Sequence, residues 1–334
     1  MQHDPTTPEI DVIGIGNALV DVISQESDEF IASLDAPKGG MTLIDEDAAT
    51  SIYERMGPAI EISGGSAANT IVGVAAFGGS AQYIGKVRAD QLGEVFVHDL
   101  RATGVRYDTA LAEQGPATGR CLVLVTPDAQ RTMNTYLGAS VHLGIADVDE
   151  AAIRRARVLY LEGYLFDPPE AQEAFRVAAG HARAAGRTVS VTLSDSFCVE
   201  RHRAAFTDLV AEHADLVFAN EAEILSLYEV DSFDAAVARV REHGVVAALT
   251  RSEQGSVVVT ADEVIEVPAH PVEQVADTTG AGDLYAAGFL YGYSRGMELA
   301  TCGALGSLAA AEVISHVGAR PEADLQALAA DLLG

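Results

Sequence analysis

The chain has 334 residues, 49% of them hydrophobic, enough for one large α/β domain with an appended lid or for two ordinary domains. A formal net charge of −28 argues against nucleic-acid binding, which draws its affinity from clustered Lys and Arg. Cys121, Cys198 and Cys302 are odd in number and far apart, which points to reduced structural thiols and against a disulfide framework or a zinc site.

In chain order, Met1 to Ile10 are polar and lack the basic and apolar regions of a signal peptide. No apolar run reaches the roughly 20 residues that a membrane-spanning helix needs. The expectation is a soluble cytoplasmic protein that does not engage a membrane. Short apolar runs then predict strands at Asp11–Gly16, Ala81–Lys86, Val158–Glu162, Thr188–Leu193, Leu216–Ala219 and Val245–Thr250. Helical periodicity between them predicts helices at Ser66–Phe77, Gln91–Ala102, Glu170–Ala185, Glu221–Tyr228 and Phe233–His243. This alternation implies a mostly parallel sheet with helices on both faces. Val20–Leu43 and Gly119–Ala139 break it. They read as consecutive strands, Cys121–Val125 and Arg131–Tyr136 pairing across a Pro127-Asp128 turn. We expect these two segments, approximately 20–43 and 119–139, to form a small antiparallel sheet inserted in the large domain as a lid. After Gly280 the chain reads as helical to its end.

The strongest signal is Asp277-Thr-Thr-Gly-Ala-Gly-Asp283, followed by a helix of small and apolar residues from about Ala281. Glycines let several backbone N–H groups turn toward one point, and the helix dipole adds about half a positive charge there. The N–H groups of Gly280, Ala281 and Gly282 would form an anion hole for a phosphoryl group. Asp283 falls in the first turn of that helix. A carboxylate there is ill suited to binding an anion but well suited to accepting the proton of an attacking hydroxyl. Alone, Gly-x-Gly-Asp would read as an ordinary first-turn acid after a glycine loop; the seven-residue run carries more.

Three further groups matter. Gly64 and Gly65 permit close approach of a ligand, Asn69 offers a donor and an acceptor, and Asp21 could take both hydroxyls of a vicinal diol. Asn220-x-x-Glu223 follows a strand, where ligands gather in open α/β sheets, and it also fits an ordinary helix cap. Glu162-Gly-Tyr164-Leu-Phe166 follows a strand and could line a ligand pocket, although Tyr164 and Phe166 are residues more often found in the core. The nine histidines show no metal spacing; His142, His202 and His213 read as surface or capping residues.

The seven-residue run resembles the signature of the ribokinase (PfkB-type) small-molecule kinases, and the likeness extends over roughly residues 11–320. It includes Gly64-Gly65-Ser-Ala-Ala-Asn69, Ile84-Gly85-Lys86 followed by Gly93, and Asn220-Glu-Ala-Glu223. Gly16-Asn17-Ala-Leu-Val-Asp21, Thr118-Gly119-Arg-Cys121 and Arg131 resemble the adenosine kinase branch. The resemblance implies a ribokinase-like α/β fold, ATP with Mg²⁺, and a nucleoside or sugar acceptor, in a monomer or a homodimer. It implies that Asn17, Asp21, Gly64, Gly65 and Asn69 hold the substrate and that Asp283 is the base. Arg131 would reach the phosphates from the lid, Asn220 would lie near them, and Glu223 would help hold Mg²⁺. Thr250-Arg-Ser-Glu-Gln-Gly255 stands where the family has Thr-x-Gly-x-x-Gly, leaving Thr250 and Gly255 as nucleotide contacts and Ser252 as a departure. Asp277 and the carbonyl of Thr279 resemble a monovalent-cation site, filled by K⁺ in some members, with Gly318 closing it or the adenine pocket.

The expected reaction is transfer of the γ-phosphoryl group of ATP to a 5′-type hydroxyl, adenosine first and another nucleoside or a free sugar next. A dehydrogenase fingerprint fails because Leu19 stands where a third glycine is needed, and a P-loop fails because Val87 follows Gly85-Lys86 and Ser80 replaces the leading glycine. A nucleoside sensor on a kinase fold is the non-catalytic alternative.

Overall fold

The computed structural model describes residues 8–333 apart from Asp35 and Ala129; the polar stretch before residue 8 lies outside the described residues. Its strands are β1 (Ile10–Ile15), β2 (Leu19–Gln25), β3 (Met41–Leu43), β4 (Ala59–Gly64), β5 (Ala81–Ile84), β6 (Arg106–Tyr107), β7 (Gly119–Val125), β8 (Arg131–Tyr136), β9 (Ala156–Glu162), β10 (Thr188–Thr192), β11 (Leu216–Asn220), β12 (Val246–Thr250), β13 (Ser256–Val259) and β14 (Val264–Val267). They form two sheets. The larger runs β14-β13-β12-β11-β10-β9-β1-β5-β6, parallel from β12 to β6, with an antiparallel hairpin at the β14 edge.

Period-two alternation explains why helices cover both faces. Val12, Val158 and Tyr160 point into one apolar cluster, whereas Ile13, Leu159 and Leu161 point into the other. Several of the intervening helices start on a side-chain cap, with Asp90 accepting from Gly93 N–H, Asn220 from Glu223 N–H and Ser232 from Ala235 N–H. The five helices expected from periodicity are present within a residue of their expected ends. The kinked helix Ser196–Glu212 escaped that reading. His202 sits at non-helical angles in its middle and breaks the helical period.

The smaller sheet has the order β3-β8-β7-β2-β4. The β7–β8 hairpin stands as expected, Cys121 opposite Thr135. The sheet is mixed, however: β2 runs parallel to β7 and β3 runs parallel to β8. It also takes a strand the sequence reading left out, β4, which starts on the exposed residues Ala59 and Ile60 and so lacks a clear alternation. Between β2 and β3 a short helix, Asp28–Ala32, replaces continuous strand. The chain crosses between sheets at Gly16–Ala18, directly after β1. The carboxyl ends of β1, β9, β10, β11 and β12 therefore face the smaller sheet across a cleft.

Candidate active site

The cleft holds a cavity of about 670 Å³, within the range of small-molecule sites. Its floor is the segment Thr278–Asp283, the start of the helix Ala281–Ser294. Gly280 caps that helix at φ +79°, a left-handed conformation that L side chains rarely adopt. A side chain there would also stand 2.8 Å from Ala319. Ala281 N–H turns back to the Thr278 carbonyl at 3.3 Å. A Cβ on Gly282, by contrast, would meet nothing within 4 Å, so the backbone of the first turn lies bare to the cavity. First-turn N–H groups have no acceptor within their own helix. The run thus begins a helix on a left-handed glycine with an exposed first turn, while its Ala281 N–H is engaged within the loop.

Asp283 is held from across the cleft. Ser66 Oγ donates to one carboxylate oxygen at 2.6 Å and Asn69 Nδ2 to the other at 3.0 Å. Both donors come from the first turns of the helix Ser66–Ala76, so two helix N-termini converge on one carboxylate. Burial raises the Asp283 pKa; the two hydrogen bonds and the nearby Arg320 charge oppose the rise without cancelling it. A carboxylate so placed is a stronger proton acceptor than an exposed one. Asn69 faces the base through its amide nitrogen, and its buried amide oxygen has no protein partner.

Asp21, on β2, lines the same cavity. Burial lifts its pKa to about 6 against the pull of Arg320 and Arg131. Gly64 lies against it: a Cβ at that position would sit 2.5 Å from the carboxyl carbon and both oxygens. Gly65, at φ +101°, caps the helix that carries Ser66 and Asn69. Asn17 lines the cavity with its polar atoms already committed. Its backbone and side-chain nitrogens donate to Glu162 at 3.2 and 2.8 Å, and its Oδ1 accepts from Ser140. The other Glu162 oxygen accepts from Ala67 N–H at 2.7 Å. Burial carries the Glu162 pKa up to about 7 despite these bonds. Tyr164 lines the cavity, whereas Phe166 is core, stacked on Phe206 at 4.4 Å.

At the other end of the cavity Asn220 and Glu223 form a reciprocal cap. Asn220 Oδ1 accepts from Glu223 N–H at 2.9 Å, and Glu223 accepts from Asn220 N–H at 3.0 Å and from its amide at 2.5 Å. Glu223 is buried, and desolvation takes its pKa to about 7. Thr250 lines the cavity beside them. Gly255 does not; it makes the turn from β12 to β13, where a side chain would strike the Val267 carbonyl. Ser252 adopts φ +52°, in the left-handed region that favours glycine.

Asp277 departs from its expected surroundings. Arg131 forms a buried ion pair with it, bridging the smaller sheet to the loop before the helix Ala281–Ser294. Gly318 N–H and Thr279 N–H donate to the same carboxylate at 3.0 Å, and Thr279 Oγ1 at 2.7 Å. Burial works against ionisation here, but the bonds from Gly318 and Thr279 and the Arg131 charge bring the pKa below its ordinary value. The carboxylate expected to serve K⁺ is thus already neutralised by a guanidinium, and Arg131, engaged by Asp277, does not line the cavity. These residues do not fit a K⁺ site built on the Asp277 side chain.

The chain matches the pfkB family carbohydrate kinase model over residues 59–325. It belongs to that family. Adenosine kinase from Sinorhizobium meliloti is 51% identical, with a TM-score of 0.90 over 97% of this chain and 99% of that one. A probable sugar kinase from Rhizobium etli is 49% identical, with a TM-score of 0.91 over 98% and 100%. Adenosine kinase from Saccharomyces cerevisiae is 26% identical over 92% of this chain and 95% of its own. This pfkB-family member is a phosphotransferase with a hydroxyl acceptor, of the adenosine kinase-like branch and ribokinase-like fold. The family implies ATP and, typically, Mg²⁺.

The donor set suits Mg²⁺ held mainly by phosphate and water. Among the described residues no three His, Cys, Asp or Glu side chains cluster as a self-sufficient metal site. Glu223 offers a buried carboxylate beside Asn220 and Thr250, which is chemically adequate for Mg²⁺. The cavity is also lined by Asp21, Glu162, Asp195 and Asp283, so a polyanion entering it needs a counter-cation. Among the described residues no helix is long and apolar enough to cross a membrane. Ser140 and Arg320 are the site residues that no local sequence pattern marks; Ser66 and Glu162 stand inside segments the sequence singles out, without the partners they take here.

Proposed function

We propose that this kinase transfers the γ-phosphoryl group of ATP to the 5′-hydroxyl of a nucleoside, adenosine foremost, with Asp283 as general base. The observation that carries this reading is Asp283 itself, in the first turn of a bare helix N-terminus and clamped by Ser66 and Asn69. Asp21 anchors the ribose diol, with Gly64 and Gly65 leaving room for the sugar. The free amide oxygen of Asn69 accepts from a sugar hydroxyl, while Asn17 is kept rigid by Glu162 and Ser140. Asp283 takes the hydroxyl proton as the oxygen bonds to the γ-phosphorus and the bond to the β-phosphate oxygen breaks. Backbone N–H groups around Gly280–Gly282 stabilise the charge on the transferred group. Mg²⁺, when bound near Glu223, neutralises phosphate charge. Asn220 and Thr250 position the nucleotide.

The acceptor choice rests on the roof. Met41, Leu43 and Met133 of the smaller sheet and Leu137 just after β8, with Phe197, give the cavity an apolar wall; Met41 is 47% exposed, Leu43 52% and Phe197 71%. A free sugar has no use for such a wall, whereas a planar base buries against it. The segments around residues 20–43 and 119–139 act as the lid over this pocket. A turnover panel of nucleosides and sugars with MgATP, with and without K⁺, tests the assignment. Adenosine should lead by kcat/KM, and Asp283→Asn should retain nucleoside binding while kcat falls by at least about 10²-fold. Undiminished turnover in that variant would falsify the base assignment.

A further inference from the structure

Arg320 reaches two segments at once. One guanidinium nitrogen donates to the Ser63 carbonyl at 2.6 Å and to its hydroxyl at 3.0 Å; the other donates to the Ala68 carbonyl at 3.2 Å. Ser63 directly precedes Gly64, the residue against which the Asp21 carboxylate lies. Ala68 sits between Ser66 and Asn69, the two donors that clamp Asp283. Arg320 therefore grips, by their backbones, the segment that confines one cavity carboxylate and the segment that holds the other. Its charge acts on both carboxylates and theirs on it.

The other charged and titratable neighbours leave this task to Arg320. Asp283 faces Asp21 from β2, Tyr160 and Glu162 from β9, and Tyr164 just beyond; Asp21 faces Arg131 and Cys121 from the smaller sheet. None of these is cationic except Arg131, whose charge is engaged by Asp277. On its far side Arg320 meets Asp99, which accepts from Ser63 N–H at 2.8 Å and Oγ at 2.5 Å.

We propose that Arg320 is a positioning residue for phosphoryl transfer, one anchored guanidinium that aligns Asp21 and Asp283 and offsets their combined negative charge. The inference rests on the roles given to those two carboxylates above. Without the cation, Asp283 ionises less readily, so the acid limb of the kcat/KM profile moves to higher pH. The test compares pH profiles with adenosine and MgATP for wild type, Arg320→Gln, Arg320→Lys and Asp99→Asn, with thermal melts alongside. Arg320→Gln, which keeps a hydrogen-bonding group but no charge, should raise the acid limb by about one pH unit. Arg320→Lys should hold the limb near wild type. Asp99→Asn, which frees the guanidinium from a competing anion, should lower it. A purely structural arginine would instead reduce activity and melting temperature in both Arg320 variants and leave every limb in place, and that result overturns the proposal. Should the Gln variant fail to fold, Asp99→Asn decides: a limb that does not fall overturns it. A dead Asp283→Asn with unmoved limbs refutes the Arg320 role alone, whereas an active Asp283→Asn refutes the base assignment beneath it.

Discussion

Gly64→Ala displaces the Asp21 carboxylate without removing it. Gly64 closes β4 opposite Leu19 and is absent from the positions with positive φ, so alanine meets no backbone penalty there. The whole effect is steric. The new methyl would stand 2.5 Å from three atoms of the Asp21 carboxyl group, where ordinary contact begins near 3.4 Å. The carboxylate must therefore retreat by about 1 Å, and a displacement of that size costs about 10²-fold in a positioned reaction. Overpacking of this kind also costs about 1–3 kcal/mol of stability. The expected result is a folded protein with a modestly lowered melting temperature. Its KM for adenosine should rise by about ten- to a hundredfold, with KM for MgATP little changed, because Asn220, Glu223 and Thr250 lie at the other end of the cavity. Steady-state kinetics with each substrate varied in turn reads both constants. A wild-type adenosine KM in a folded Gly64→Ala protein would show that Asp21 does not anchor the acceptor.

Asp21→Asn should separate stability from function. Burial raises the Asp21 pKa from 3.8 to about 6, so the folded state binds the proton more tightly than the unfolded chain does. Its stabilising protonation is fully present below about pH 4 and is lost as pH rises through about 6, a difference on the order of 2–3 kcal/mol. The Asn variant should melt higher than wild type at pH 7.5, with the gap closing below pH 4, and should lose adenosine binding by calorimetry; a lower melting temperature at pH 7.5 contradicts this. Gly282→Ala tests the anion hole from the opposite direction. Its Cβ meets no protein atom within 4 Å, so melting should be unchanged or raised by up to about 1 kcal/mol of helix propensity. The methyl enters the space assigned to the transferred phosphoryl group, and kcat should drop at least tenfold; full activity would move the anion hole elsewhere.

Much of this site was legible because its geometry is local. A glycine at left-handed φ, a helix starting one residue later and a carboxylate in its first turn all follow from seven consecutive residues. The Asn220–Glu223 cap is a four-residue device of the same kind. The alternation of strands and helices is likewise written in short periods, and it yielded the parallel sheet and the cleft at its carboxyl ends. Where periodicity was interrupted, as by the kink at His202 or the exposed start of β4, elements went unread. The chemistry among distant residues was not readable at all. Ser66 and Asn69 hold Asp283 across more than 200 positions, Glu162 locks Asn17 across 145, and Arg131 closes on Asp277 across 146. Side chains so far apart carry no mutual pattern, because their approach is set by how two sheets and two helix N-termini pack. The sequence by itself determined a glycine-capped helix start with a first-turn carboxylate on a parallel α/β scaffold. Only the tertiary structure decided which carboxylate is clamped and which is neutralised by an arginine, since burial and partner choice exist only once the chain has closed on itself.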